Sequence, residues 1–431
     1  MEQSLTIVVG TTPDYVVRIQ EGDRTRQLLF ILDYRYAHSQ ELIETGNAKL
    51  LFSHLEDYDE TLAGLGGYLS DTMQKEIRFA CFDCESLYLT ARLAEHFQTP
   101  FPSPESVLKS RNKYLSGRLW MKNRVATPGC GLASDMPATL ELFYRFGYNV
   151  VIKPVTGSGS ELLFHCTDEE GIIKAVETIG GQLVKRKDNP LFVPIIDPVS
   201  SDILDPCRVW VVEEFIDGPE YSCDFFMHDN RVDVLRETGK IKDFAYPFGT
   251  VSGYTLPPSY GVQVNRDDIG KQMLTAARAL GFEWGYFMAD YILKNDRIYM
   301  IELTPRPGGD SLPDLIKVSS GNDILKTYMD MMGGNNPVPD EFSPPSERFA
   351  SIHFYADRRG TINAIDTVGI ESDPRFCFLE IKKKKGDRVS LPPDDYDNRL
   401  LGYCVISGPE DNLSLSTCRD FQKKIKVTFT D

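Results

Sequence analysis

Two apolar segments, at 285–293 and 297–303, restrict the fold of this chain more than any other feature, because only the polar letters KND at 294–296 separate them. A turn this short joins antiparallel neighbours, so the segments predict a β-hairpin. Each segment carries one acid, Asp290 or Glu302, and counting outward from the turn places the two opposite or nearly opposite each other. Adjacent carboxylates on a sheet repel each other unless a cation lies between them. The hairpin therefore predicts a metal site, with two unrelated exposed acids as the alternative.

The first third of the chain alternates strand and helix signals. The segments 5–10, 27–33 and 77–83 are apolar and end at Gly or Asp, and 86–97 has the apolar spacing of an amphipathic helix. This alternation predicts a small parallel α/β domain. Gly10 opens a turn, but no G-x-G-x-x-G pattern follows it, so dinucleotide binding is not expected there.

Proline and glycine clusters divide the chain. TPFPSP at 99–104 indicates one boundary, and GGNNPVP at 333–339 indicates a second linker, after which strand signals dominate. We therefore expect an N-terminal α/β domain at 1–104, a central unit at 105–335 and a C-terminal strand-rich subdomain at 336–431. The fold class expected for the whole chain is a mixture of α/β and α+β.

The charge balance narrows the functional classes. With 47 basic and 63 acidic side chains the formal net charge is −16, which argues against nucleic-acid binding and against an anionic membrane surface. No apolar run approaches the ~20 residues that span a bilayer, and no signal-peptide pattern is expected at the N-terminus. Among nine cysteines, Cys81 and Cys84 form one close pair without a second pair at zinc-binding spacing. The odd count suggests a reducing cytoplasm.

The letters KPVTGSGSE place Lys153 on a strand just before a Gly/Ser turn. A P-loop has the opposite order, with its lysine after the glycines and at the start of a helix. Gly157 and Gly159 allow the backbone to approach a ligand, and Ser158 and Ser160 add hydroxyl donors. Such a hairpin can fold over phosphates while Lys153 supplies a point charge. The alternative is a solvated hairpin tip.

Two further segments indicate a pocket. The strand-like run VVEEF stops at 217–219, and an irregular hinge leaves backbone N–H and C=O groups unpaired there. These groups can bind an adenine edge, and Glu220 can hold ribose hydroxyls, although glutamates at strand ends are common. The segment 243–260 is rich in aromatic residues and glycines, which suggests a pocket or lid loop, with exposed loop aromatics as the alternative.

The order of these motifs is more informative than any one of them. The sequence resembles the ATP-grasp superfamily, most closely its carboxylate–amine ligases, which include bacterial L-amino-acid ligases. The resemblance covers nearly the whole chain, and its most specific segment is IELTPRPGGDSLPDLIKVSSGNDI. It implies an ATP-grasp fold with an N-terminal pre-ATP-grasp α/β domain and a C-terminal strand-rich subdomain. The motif residues are, in order, Lys113, Lys153, Glu213, Glu220, Asp290, Glu302 and Arg306.

The resemblance implies contacts to the phosphates of ATP. Lys113 and Lys153 are expected at the α- and β-phosphates, and Lys240 at a further phosphate, with Lys242 an equal candidate by spacing. The loop 156–160 is expected to cover the triphosphate through Gly157, Ser158, Gly159 and Ser160.

The same resemblance implies contacts to the nucleoside. Glu213 is expected to accept from the adenine amino group. The backbone of Phe215 and Ile216 is expected to read the ring nitrogens, and Glu220 is expected to bind the ribose.

By the same resemblance, Asp290 and Glu302 are expected to bind one or two Mg²⁺ ions, with Mn²⁺ as an alternative. The family usually has Asn two residues after the metal glutamate, whereas this chain has Thr304, whose hydroxyl is a weaker ligand than an amide carbonyl. This difference bears on whether the chain can hold a second Mg²⁺ ion. Arg306 is expected to face the γ-phosphate and the substrate carboxylate, so Arg306 and Lys153 are the residues expected to act in catalysis.

The function implied by the resemblance is ATP-dependent ligation of a carboxylate to an amine through an acylphosphate, with release of ADP and phosphate. Two alternatives stay open: an ATP-binding protein without catalysis, and an ATP-grasp enzyme with another phosphoryl acceptor. The expected partners are small-molecule carboxylate and amine substrates, without nucleic acid or membrane, and a second copy of the chain in a homodimer. The expected compartment is the cytoplasm.

Overall fold

A computed structural model describes most of the chain. Its described ranges are 4–39, 48–72, 76–196, 203–259, 265–334, 347–409 and 413–430. The linker expected at 333–339 falls mainly outside these ranges, so that boundary stays a prediction. No helix within the ranges is long and apolar enough to cross a membrane.

The N-terminal part forms a parallel sheet covered by helices, as the alternating signals predict. Its strands lie in the order β3-β2-β1-β4, and the central strand β1 is buried along its whole length. Burial of both faces explains the continuous apolar runs of these strands. The elements are β1 (Leu5–Val9), α1 (Pro13–Gly22), β2 (Gln27–Asp33), β3 (Ala48–Ser53), α2 (Tyr58–Thr72), β4 (Ile77–Ala80) and α3 (Leu87–His96).

Two consecutive helices bring the first expected phosphate contact into place. Helix α4 (Pro104–Arg111) is followed by α5 (Lys113–Lys122), and Asn112 between them accepts from two backbone N–H groups of α5. Such a cap satisfies N–H groups that have no partner within the helix. The cap fixes Lys113 at the first position of α5.

A second sheet has four antiparallel strands in the order β5-β10-β6-β7 and shares one apolar core with helices α6 and α7. Strands β6 and β7 enclose the Gly/Ser loop, which confirms the hairpin predicted around it. A two-stranded ribbon, β8 and β9, forms a sheet of its own and packs against this sheet through Leu204 and Val211. The elements are β5 (Cys130–Ala133), α6 (Met136–Arg145), β6 (Val150–Pro154), β7 (Phe164–Cys166), α7 (Glu169–Leu183), β8 (Ile195–Ile196), β9 (Ile203–Leu204) and β10 (Trp210–Glu214).

A third sheet has eight antiparallel strands in the order β15-β14-β11-β12-β13-β16-β20-β18. Strands on either side of the boundary expected at 335/336 therefore share one sheet, through the pairing of β13 with β16. The strands are β11 (Glu220–His228), β12 (Arg231–Lys242), β13 (Val251–Leu256), β14 (Gly285–Lys294), β15 (Arg297–Thr304), β16 (Arg348–Tyr355), β17 (Gly360–Asp366), β18 (Phe376–Ile381), β19 (Arg388–Val389), β20 (Leu400–Gly408) and β21 (Lys426–Thr430), of which β19, β17 and β21 form a separate small sheet.

Helices cover the third sheet, so the chain as a whole mixes α/β and α+β architecture, which confirms the expected fold class. Helix α8 packs against β12 and β15, and α9 packs against β13, β16 and β20. The helices are α8 (Arg266–Ala279), α9 (Leu312–Ser320), α10 (Ile324–Met332), α11 (Val368–Glu371) and α12 (Leu415–Gln422).

The chain passes from the second sheet to the third at 215–219. A Cβ at Gly218 would lie 2.5 Å from the carbonyl oxygen of Leu293 on β14, so this close passage requires glycine. The Leu293 N–H donates to the Pro219 carbonyl oxygen at 3.1 Å. The crossing places the end of β10 beside β14 and leaves the two sheets on either side of a cleft.

We predict that Gly253→Ala destabilises the junction between β13 and β16. A Cβ at Gly253 would lie 2.3 Å from the backbone oxygen of Ser351 on β16. Overpacking of this kind costs ~1–3 kcal/mol of unfolding free energy. Gly180→Ala is the matched control, because a Cβ there meets nothing within 4 Å and alanine in a helix interior gains ~0.5–1 kcal/mol. Urea unfolding compares the two variants, and equal stability would contradict the packing argument.

Candidate functional site

The cleft between the second and third sheets gathers nearly all the side chains that the sequence predicts for nucleotide and metal binding. Its walls come from β6, β10, β12, β14 and β15 and from the Gly/Ser loop. Thr304 and Arg306 do not line it. The predicted residues that do are Lys113, Lys153, Gly157, Ser158, Gly159, Ser160, Glu213, Phe215, Ile216, Glu220, Lys240, Asp290 and Glu302.

The Gly/Ser loop closes one side of the cleft. Gly157 and Gly159 have positive φ angles of 128° and 63°, which residues with a side chain rarely adopt. The Lys113 ammonium donates to the Gly157 carbonyl oxygen at 3.1 Å and so ties the loop to helix α5. A Cβ at Gly159 would lie 2.6 Å from the Asp397 carboxylate. The loop therefore touches the C-terminal part of the chain as well as the cleft.

Lys153 and Glu213 form a buried ion pair in the cleft. Lys153 Nζ lies 2.6 Å from Glu213 Oε2, and the two residues are 3 % and 8 % exposed. They share one face of the second sheet, because they lie at diagonal positions on the neighbouring strands β6 and β10. The structure thus joins a residue expected at the phosphates to one expected at the adenine.

Aromatic side chains line the end of the cleft where the sequence predicts the adenine. Phe215 stacks on His165 with ring centroids 4.0 Å apart, and Phe248 lies 5.3 Å from the same imidazole. The Phe215 N–H donates to the Asn149 carbonyl oxygen at 3.1 Å, so this donor is already engaged. The Ile216 N–H makes no backbone hydrogen bond within the described ranges, so of the two N–H groups expected at the adenine ring it is the one not engaged by another backbone group.

Several side chains of this wall were not singled out from the sequence. Strand periodicity does not tell which of several apolar neighbours faces the cleft, and His165 carries no local signal at all. The aromatic segment 243–260 did indicate a pocket, and within its described part Phe244 and Phe248 line the cleft. The other lining residues that sequence reasoning missed include Val151, Leu163, Ile292 and Ile301.

Glu220 is shared by two lysines. Lys240 Nζ lies 2.6 Å from one Glu220 oxygen and 2.6 Å from Asp290 Oδ2, and Lys242 contacts the other Glu220 oxygen. Burial raises the pKa of Glu220, but the two lysines outweigh burial and bring that pKa to about 2. Burial lowers the pKa of Lys240, whereas Asp290 and Glu220 raise it, with a net rise. Both lysines line the cleft, so the choice between them stays open.

The hairpin of β14 and β15 sets the two expected metal carboxylates directly opposite each other. Asp290 pairs with Glu302 in the strand register, because the register shifts by one residue, as at a β-bulge, between Asp290 and Tyr291. The count from the turn alone predicts near opposition, since it sets Asp290 against Ile301. The turn residues Asn295 and Asp296 have φ angles of 50° and 60°, the pattern of a two-residue type I′ turn. Burial raises the pKa of Asp290, and the Glu302 charge adds to that rise while Lys240 opposes it.

These two carboxylates suit a magnesium ion that arrives with a nucleotide. Asp290 Oδ1 is buried without a hydrogen-bond partner, and Glu302 Oε1 lies 4.0 Å from Lys113 Nζ. No group of three or more His, Cys, Asp or Glu side chains among the described residues could hold a metal ion. Mg²⁺ commonly takes one or two protein carboxylates and completes its octahedron with phosphate and water oxygens. The donor set therefore fits Mg²⁺ together with a triphosphate.

Thr304 and Arg306 lie beyond the cleft lining. Thr304 is 3 % exposed and pairs with Met288 in the sheet. Arg306 donates to Cys84 Sγ from two nitrogens, at 3.2 and 3.1 Å, and to the Pro307 carbonyl oxygen at 2.7 Å. Burial raises the pKa of the Cys84 thiol, although Arg306 acts to lower it. Cys84 thus lies buried after β4, and its sulfur holds the Arg306 guanidinium.

A buried ion pair supports the loop that carries Arg306. Asp224 and Arg236 lie 2.8 Å apart on β11 and β12, with side chains at most 1 % exposed. The Gly308 N–H donates to the Asp224 carboxylate at 3.0 Å. A Cβ at Gly308 would lie 2.7 Å from Arg236 Nη2 and 2.8 Å from the Leu312 side chain. Glycine at this position therefore lets the loop lie directly on the ion pair.

The sequence of this chain is similar to a known domain family and to several known proteins. Residues 146–314 match the family described as "ATP-grasp domain". The uncharacterized protein y4rH of Sinorhizobium fredii is 25 % identical over 330 residues, which are 75 % of this chain and 63 % of y4rH. A D-alanine–D-alanine ligase of Nitratidesulfovibrio vulgaris is 25 % identical over 211 residues, which are 48 % of this chain and 60 % of the ligase. The chain thus spans less than two thirds of the length of these relatives.

A solved structure extends the likeness to the whole chain. An L-amino acid ligase from Bacillus licheniformis superposes with a TM-score of 0.75 at 16 % identity, and the match covers 100 % of both chains. At this identity the likeness concerns the fold alone.

We predict that Glu220→Gln removes stability that is present at neutral pH and absent in acid. The folded pKa of about 2 lies below the ordinary value of 4.5, so the charged form contributes stability above about pH 4.5 that is lost as the pH falls toward 2. The unfolding free energy of the variant should therefore lie further below wild type at pH 7 than at about pH 3. Urea unfolding measures this, with the exposed Glu283→Gln as control. If the unfolding free energy of Glu220→Gln lies below wild type by the same amount at both pH values, Lys240 and Lys242 do not lower the pKa of Glu220 as described.

Proposed function

We propose that the chain is an ATP-dependent ligase. It joins a carboxylate to an amine through an acylphosphate and releases ADP and phosphate. This proposal is supported by the match of residues 146–314 to the ATP-grasp domain family and by the likeness of the fold to that of an L-amino acid ligase. The observation that supports this reaction most directly is the cleft, in which Lys113, Lys153 and Lys240 accompany the opposed carboxylates Asp290 and Glu302.

In this proposal ATP lies along the cleft, with its adenine near Phe215 and its triphosphate under the Gly/Ser loop. Lys113 and Lys153 supply positive charge to the phosphates. Lys153 is held by Glu213, and Lys113 by the Gly157 carbonyl oxygen. Because both ammonium groups are already positioned, they lose little further freedom when ATP binds.

Asp290 and Glu302 are the residues that would hold Mg²⁺ against the phosphate oxygens, which is supported by the unpartnered Asp290 Oδ1. When bound, Mg²⁺ offsets negative charge on the γ-phosphoryl group. Lys240 contacts the other Asp290 oxygen and Glu220, so its ammonium lies where it would add positive charge beside the ion and the phosphates. Thr304 is buried and outside the cleft lining, which favours one protein-held ion over two.

The chemistry requires positioning and charge neutralisation more than covalent catalysis. A substrate carboxylate oxygen attacks the γ-phosphorus, the bond from that phosphorus to the bridging oxygen breaks, and ADP leaves. The amine then attacks the acyl carbon, the bond to the phosphate oxygen breaks, and the amine loses its protons to phosphate and solvent. Arg306, fixed by Cys84, is proposed to face the reacting carboxylate. The Gly/Ser loop is proposed to keep water from the acylphosphate.

Turnover by the purified chain with Mg-ATP and a pool of amino acids tests this function. A ligase releases ADP and phosphate in equal amounts and forms a product whose mass equals both substrates minus one water. Tight ATP binding without turnover on any acceptor would favour an ATP-binding protein without catalysis. A phosphorylated or carboxylated product would instead indicate another acceptor.

We predict that Glu302→Gln lowers kcat by ~100-fold or more, because loss of a metal carboxylate removes several kcal/mol of charge stabilisation. The variant should keep wild-type thermal stability, since the Glu302 side chain is 28 % exposed and its nearest ion-pair contact is 4.0 Å away. The exposed Glu283→Gln is the matched control and should turn over normally. Near-normal turnover of Glu302→Gln would show that the metal assignment is wrong.

A further inference from the structure

A second cavity of about 290 Å³ lies behind the Gly/Ser loop, and we call it the side cavity. It is lined by Tyr88 of α3, by Leu108 and Arg111 of α4, by Thr156 after β6 and by residues of the segment 190–196, and it is partly open to solvent. Thr156 lines both the side cavity and the cleft, so the two share a wall. The side cavity is therefore adjacent to the proposed position of the triphosphate.

Two polar groups at the side cavity have no hydrogen-bond partner. They are Arg111 Nε and Thr156 Oγ1, and both atoms are buried. Thr156 as a whole is only 4 % exposed. Leaving such a group unsatisfied costs ~1–3 kcal/mol, and more when the group is charged. Because native proteins nearly always satisfy buried polar groups, this pair points to a bound molecule that accepts hydrogen bonds.

The guanidinium group of Arg111 makes the cavity suitable for an anion. Burial lowers the pKa of Arg111, and the nearby Cys84 and Glu85 offset that effect only in part. Cys84 also accepts from Arg306, so one thiol lies near both guanidinium groups. Arg111 thus brings positive charge to the side cavity in the neighbourhood of the residue proposed to face the reacting carboxylate.

The rest of the side cavity suits an apolar chain. Its remaining walls are aliphatic or aromatic, and Val193 and Ile196 are 52 % and 65 % exposed. Covering such surface with a ligand is favourable by ~25 cal/mol per Å². At ~30 Å³ for each atom-sized solvent molecule, the cavity admits roughly ten non-hydrogen atoms. Inorganic phosphate would leave this apolar wall without a contact.

We propose that the side cavity binds the carboxylate substrate, and that this substrate is an acid with an apolar chain, held with its carboxylate on Arg111 and Thr156. An apolar amino acid such as leucine belongs to this class, as does a short fatty acid. A carboxylate accepts well from the fork of a guanidinium group, which satisfies the unpartnered nitrogen. The inference rests on the proposed ligase reaction and adds the chemical class of its acid.

Binding without turnover gives the first test. The full chain is melted with ADP in the presence of L-leucine, hexanoate, L-alanine or L-leucinamide. Alanine lacks the apolar chain of leucine, and leucinamide lacks its carboxylate. Leucine and hexanoate should raise Tm the most, alanine less, and leucinamide not at all. An equal shift with leucinamide, or no shift with leucine and hexanoate, overturns the proposal.

Trapping with hydroxylamine gives the second test, because a hydroxamate reports the acylphosphate before any amine is known. Arg111→Met keeps the apolar stem and should raise KM for leucine about 10- to 100-fold, the effect of losing a charged hydrogen bond, with KM for ATP unchanged. Lys109→Met, in the same last turn of α4, is the matched control and should change neither constant. An unchanged KM for leucine in Arg111→Met contradicts the assignment.

A third variant keeps the proposal testable if Arg111→Met does not fold. Ile195→Thr makes the cavity wall more polar and should reduce the preference for leucine over alanine about 3- to 10-fold. Ile203→Thr is its control, because Ile203 lies on the paired strand, is 76 % exposed and does not line the cavity. If wild type traps no hydroxamate from any acid, the ligase proposal fails, whereas the Tm series still decides whether the side cavity takes apolar acids.

Discussion

The cleft depends on the neutralisation of acidic groups that the sheet brings together. The register of one hairpin sets Asp290 against Glu302, and β11 adds Glu220 beside β14. Three acids so close would repel each other, and Lys240 offsets this by contacting both Glu220 and Asp290. Cations and anions therefore alternate through the cleft. In the proposed complex, a triphosphate with its metal ion brings both charges, so each protein group would exchange its partner without being left as a bare buried charge.

A second ionic interaction controls the shape of the loop that follows this hairpin. The Asp224–Arg236 pair is almost fully buried. Its net contribution to stability is small, because the cost of removing two charges from water offsets most of their attraction. Its effect is geometric, because the carboxylate holds the Gly308 N–H and the guanidinium leaves no room for a side chain there. The path of the loop then brings Arg306 to Cys84 of the N-terminal unit. Two parts of the chain distant in sequence thus meet beside the cleft.

Local sequence features predict some of this arrangement well. A two-residue turn fixes the register of a hairpin near the turn, so counting residues places Asp290 and Glu302 within one position of each other. A register shift beside Asp290 completes their opposition, and the sequence does not predict that shift. Alternating apolar runs predict the parallel sheet, and the Gly/Ser letters predict the hairpin around Gly157. The ion pairs are different, because they depend on how sheets and loops pack. Arg306 and Cys84 are 222 positions apart, and no local pattern links them.

The pairing of β13 with β16 has a consequence for any shortened form of the protein. Without the C-terminal strands, β13 would end the third sheet with a row of unpaired N–H and C=O groups, and such an edge recruits other chains into aggregates. Tyr254 and Leu256, each 8 % exposed in the whole chain, lie on that strand. A fragment with every residue that is proposed to contact the nucleotide but without β16 would therefore be limited by its solubility before its chemistry could be measured.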